Sequence, residues 1–130
     1  MTELSTIVAT QRAIDIKHPA TDATIGLRVT LLPDTDERVR AVARKAVNER
    51  LATKGKLTAE KSEQGRLDIL TASMGAWEWA AGLSFHGEQP QLTQQVAHKL
   101  LTELPWIADQ IDAALGDRAS FFPSVHAVAA

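Results

Sequence analysis

Two short segments near the start of the chain alternate between apolar and polar side chains. Ile14 and Ile16 share one face of an extended segment 12–17, and Leu27, Val29 and Leu31 share one face of 26–31. Between them His18, Pro19, Ala20, Thr21, Asp22, Ala23 and Thr24 are mostly turn formers. The spacing predicts an antiparallel β-hairpin over 12–32 with one buried face. An isolated hairpin is marginal in water, so that face needs helices to lie on.

After Pro33 the period becomes that of a helix. Asp34, with Glu37 three residues on, makes a capping-box-like start. Val39, Val42, Ala43, Ala46 and Val47 then form a narrow stripe of small side chains, and Gly55 is placed to end the helix just beyond Lys54. Thr58 is the expected cap of a second helix, whose polar opening turns lead into residues 66–83, RLDILTASMGAWEWAAGL. At ~100° per residue, Leu67, Leu70, Met74, Trp77 and Ala81 line one stripe of that stretch. Asp68, Thr71, Gly75, Glu78 and Gly82 gather on an arc of roughly 80°. The pattern reads as a buried central helix; a kink at Gly65 stays open, because an interior glycine costs on the order of 1 kcal/mol. On such a helix Trp77 falls within the apolar stripe and Trp79 about 160° away, beside the polar arc. Leu92, Val96, Leu100, Leu101 and Leu104 predict a third helix from about 91 to 103. Pro105 opens a fourth, in which Ile107, Ile111, Ala114 and Leu115 face inward and which Gly116 closes.

The expected fold is mainly α (α+β): about four helices around a central apolar helix, with an N-terminal β-hairpin. Its core should hold Leu70, Met74, Trp77, Leu100, Trp106 and Ile111. One domain over 12–122 is expected, between a flexible N-terminus (1–11) and a flexible tail (123–130). The length of 130 residues suits a single hydrophobic core, and 45% apolar with 23% charged residues is ordinary for a globular chain.

Charge and chemistry narrow the function classes. A net charge of −2 supplies no global field toward nucleic acid or an anionic membrane. The absence of cysteine excludes disulfides and thiolate metal sites. There is neither a basic, apolar leader nor a run of ~18 apolar residues, so the protein is expected to work where it is made. His18, His86, His98 and His126 do not pair at helical spacing, and His86-Gly87-Glu88 lacks the cysteines that a zinc deaminase pattern requires. No nucleophile-elbow, dinucleotide or phosphate-loop motif occurs. Asp109 and Asp112 read as a solvated helix face. No enzyme activity, metal or cofactor is expected. Arg38, Arg40, Arg44, Lys45, Arg50, Lys54 and Lys56 form a basic cluster, but Asp34, Asp36, Glu37, Glu49, Glu60 and Glu63 interleave with it. That mixture argues against a nucleic-acid face.

The aromatic residues carry more. Trp77, Phe85 and Trp106 read as core. Trp79, Phe121 and Phe122 are the candidates for a partner-binding surface, since Trp and Phe are enriched at interface cores. For Phe121 and Phe122 a lid folded back on the helices is the equal alternative.

Two stretches together resemble a known family. Residues 105–122, PWIADQIDAALGDRASFF, are similar to the C-terminal signature of tail assembly chaperones of long-tailed, siphovirus-like bacteriophages and prophages. Trp77-Glu78-Trp79 with Gly82-Leu83 and a following Gly/Pro turn is the other part of the pattern. His18-Pro19-Ala20-Thr21 leading into Gly26-Leu27-Arg28-Val29 adds to it. The resemblance implies a non-catalytic protein of the host cytoplasm that binds the tape measure protein and the tail tube protein and is absent from the mature virion. It also implies a second, longer product made by ribosomal frameshifting. The family supplies no motif-level binding residues, and self-association stays open. Two alternatives stand beside it: a structural tail or neck component retained in the virion, and a small nucleic-acid-binding regulator.

Overall fold

The computed structural model describes residues 4–52 and 58–122. Strands β1 (Arg12–Lys17) and β2 (Thr24–Leu31) form the expected hairpin. Helices α1 (Glu37–Ala52) and α2 (Ala59–Ala72) follow, then a third strand, β3 (Met74–Trp79). Helices α3 (Gln94–Glu103) and α4 (Pro105–Gly116) come next, and a 3₁₀ turn, Arg118–Phe121, closes the described chain. The strands make one antiparallel sheet in the order β1-β2-β3. The fold is thus mixed α+β with four helices among the described residues, and the predicted central helix does not form.

The reason lies at Ser73. Its hydroxyl donates to the carbonyl of Ile69 (2.8 Å), its N–H to the carbonyls of Ile69 and Leu70, and α2 ends there. Ser73 passes its own carbonyl to the N–H of Leu32 (2.7 Å), so the chain leaves the helix already paired to the end of β2. From Met74 onward β3 pairs with β2 in the register Leu27↔Trp79, Val29↔Trp77 and Thr30↔Ala76. Gly75 sits at a bulge, where a Cβ would come within 2.8 Å of the Leu32 Cδ2 atom. A glycine that looks costly in a helix is therefore what lets the Leu32 side chain close on this edge. Gly65 causes no break; α2 runs through it.

The sheet packs one face on the helices. Ile16, Leu27, Val29 and Leu31 are buried there against Leu67 and Leu70 of α2, Leu100 and Leu101 of α3, and Ile107 and Ile111 of α4. The other face carries Ala13, Asp15, Arg28, Ala76 and Glu78 outward, with Asp15 and Arg28 paired at 3.4 Å. Of the expected core, Leu70, Met74, Leu100 and Ile111 are buried, while Trp77 and Trp106 are half-buried against it. Helix α1 stands apart: it packs on α2, and Val39 is its one buried residue.

Two helix starts differ from expectation. Asp36, not Asp34, caps α1, its carboxylate accepting from the Arg38 N–H (2.9 Å) while its carbonyl accepts from Arg40. Asp34 instead pairs with Arg118 at 2.8 Å. Thr93 caps α3, three residues later than the apolar pattern suggested, by accepting from the Val96 N–H. Thr58 caps α2 as expected. Gly55, Lys54, Lys56 and the tail from Pro123 lie outside the described residues, as does the rest of 123–130.

Candidate partner-binding surface

The three aromatic residues singled out from sequence are placed in three different settings. Phe121 is 3% exposed and belongs to the core; Phe122, its neighbour, is 43% exposed. Alternate residues of this short closing segment thus point in and out, so Phe121 is the lid and Phe122 is left on the surface. The segment is held by the N-terminal stretch, where the Thr10 N–H donates to the Phe121 carbonyl at 2.7 Å and the Thr10 hydroxyl at 3.2 Å.

Beside this clasp lies a small groove of about 130 Å³. Ala9, Pro33, Val39, Ile69, Leu115 and Phe121 line it, and Phe122 lies at its wall with the Asp34–Arg118 pair. Five stretches of chain, from the N-terminal segment to the 3₁₀ turn, therefore converge on one apolar depression. Ile7 and Val8, which lead into Ala9, are 53% and 54% exposed. Two exposed apolar side chains thus precede the groove's N-terminal lining residue directly in sequence.

Trp79 is a correction. It does not project away from Trp77, because on a strand residues two apart share a face. The indoles meet edge to face, ring centroids 5.4 Å apart and planes at 88°. Both lie on the helix-facing side, half-buried. The Trp77 indole N–H donates to the Pro90 carbonyl at 3.0 Å. The Trp79 indole N–H is buried and has no acceptor among the described residues. The alternation Ala76, Trp77, Glu78, Trp79 between exposed and half-buried is the signal that reading at helical period hid.

Charged side chains are largely occupied with one another. Arg66 of α2 bonds Glu63 (2.9 Å), Asp109 (3.2 Å) and Asp112 (3.1 Å), so the two aspartates of α4, exposed as expected, also tie α4 to α2. Partial burial works against the Arg66 charge, but the bonds to Asp112 and Glu63 outweigh it and raise its pKa. Within the basic cluster Arg38 pairs with Asp36 and Arg44 with Glu37. The Arg38 side chain and N–H hold the Asp36 carboxyl below its ordinary range, and the Arg44 guanidinium does the same to Glu37. His18 Nδ1 accepts from the Ala20 N–H within its turn, His86 bonds Glu103 (3.0 Å), and His98 lies 3.7 Å from Asp68. No group of three potential metal ligands gathers among the described residues, and no helix there is long and apolar enough to cross a membrane.

Compared with known proteins, the chain matches no family model, no curated protein and no solved structure.

Proposed function

We propose that this protein is a non-catalytic tail assembly chaperone of a long-tailed bacteriophage or prophage. In this reading it binds the tape measure protein and tail tube subunits in the host cytoplasm and leaves before the virion is complete. The observation that supports a binding role is the apolar groove with Phe122 at its wall and Ile7 and Val8 exposed nearby. The sequence resemblance supplies the partner. A tape measure is long and carries apolar surface until tube subunits enclose it, so a small protein that covers such surface reversibly prevents its aggregation. Phe122 is the residue free to enter the partner, while Phe121 is buried in the core.

Co-expression of the chain with a tape measure protein of a long-tailed phage tests the proposal. The chain should keep that protein soluble and be captured with it. Phe122→Ser should weaken capture about tenfold, as for an interface anchor, with a melting temperature within about 2 °C of the parent because the residue is exposed. No capture by the parent chain, or its retention in purified virions, refutes the chaperone reading; retention favours a structural tail component.

A further inference from the structure

The sheet has two edges, and they are finished differently. On β1 the Gln110 side chain of α4 makes both bonds of a missing strand: its carbonyl accepts from the Lys17 N–H and its amide donates to the Lys17 carbonyl, each at 2.8 Å. Three of the six β1 residues are also charged, a further barrier to unwanted pairing. On β3 the Ala80 N–H bonds the Gly26 carbonyl, which fixes the alternation along the strand. Ala76, Glu78 and Ala80 therefore turn their main-chain groups toward β2, and Trp77 and Trp79 turn theirs outward. No main-chain or side-chain group among the described residues bonds those outward N–H and C=O groups. The following loop reaches this region through Trp77 Nε1 to Pro90 and through Gln89 to the Ala80 and Leu83 carbonyls. Strand β3 has one charge in six residues and no proline, so its sequence offers little protection.

We infer that β3 pairs antiparallel with β3 of a second copy of this chain, giving a two-fold dimer with one continuous six-stranded sheet. Charge and the extent of pairing select the register. Outward main-chain groups must face one another, which leaves three compact arrangements about a dyad. The one centred on Glu78 sets that carboxylate opposite its own copy, a like-charge contact. The one centred on Ala76 pairs only residues 75–77 before it crosses the bulge at Gly75. The one centred on Trp77 pairs 75–79, sets Glu78 opposite Ala76 and brings no like charges face to face; it is the assigned one.

Ala76 and Glu78 both lie on the exposed outer face, so their charges can be changed without touching the core. Sedimentation equilibrium of the full chain should show a dimer. Ala76→Glu, which places two carboxylates against two, should weaken it about fivefold; Ala76→Lys, which creates two opposite-charge pairs, should strengthen it about fivefold. The double variant Ala76→Glu/Glu78→Lys, which restores two opposite-charge pairs with the signs exchanged, should strengthen it as Ala76→Lys does. Salt should shrink all of these differences, since the pairs are exposed. If Ala76→Glu fails to fold, the sign of the Ala76→Lys change still decides. A chain monomeric at every concentration, or a dimer indifferent to the charge at position 76, overturns the assignment.

Discussion

Replacing each tryptophan of β3 by phenylalanine, one at a time, isolates a hydrogen-bond difference that the structure makes large. Both indoles are half-buried, share one face and touch each other edge to face, so the ring area lost is similar at the two sites. The polar atoms differ. At Trp77 the substitution removes the bond to the Pro90 carbonyl, a net loss of about 1 kcal/mol. At Trp79 it removes a buried donor that has no acceptor among the described residues, which relieves a penalty of about 1–3 kcal/mol. Trp77→Phe should therefore be less stable than Trp79→Phe by about 2–4 kcal/mol. For a domain of this size that is a difference in melting temperature of about 7–15 °C. Urea unfolding followed by circular dichroism, which does not depend on tryptophan fluorescence, gives the free energies directly. Equal losses in the two variants would refute the reasoning and show that the Trp79 indole finds an acceptor in solution.

Two further outcomes are expected. Because Asp36 and Glu37 have folded pKa values below their ordinary ones, their stabilisation of the α1 start is complete above the usual carboxylate range and is lost as pH falls through the lower folded values. Asp36→Asn, which keeps an N-cap acceptor, should flatten the fall in melting temperature between about pH 5 and pH 3; an unchanged acid limb argues against the depressed carboxyls. If the chaperone reading holds, the gene should also yield a longer product. Phe121-Phe122-Pro123 can be encoded TTT-TTC-CCN, which contains a heptamer permitting a backward slip by one nucleotide. Mass spectrometry should then find a second product identical through Pro123, and other codons there remove this site.

Local pattern carried much of this fold. Ile14, Ile16, Leu27, Val29 and Leu31 alternate around a turn, and only a strand face buries them together. Leu100, Leu101, Ile107 and Ile111 repeat at helical spacing, with Pro105 marking the boundary between α3 and α4. The error at 74–83 has a physical origin. Leu67, Leu70, Met74 and Trp77 satisfy a helical period, and Trp77 and Trp79 satisfy a strand period equally well. What decides is the free edge that β2 offers, a non-local partner invisible along the chain. The capping of Lys17 by Gln110 and the Arg66 clamp on Asp109 and Asp112 are likewise contacts between distant segments. Among the candidate surface residues, Phe122 is exposed, whereas the inward turn of Phe121 is set by the Thr10 clasp, which no periodicity encodes.

That clasp joins positions 111 apart, and the bonds from Arg12 to Ala114 and from Lys17 to Gln110 span 102 and 93. A ribosome releases the chain from its N-terminus, so the first hairpin emerges with its apolar face bare and must wait for the final helix before it is secured. The earliest strand to be made is thus the last to be locked.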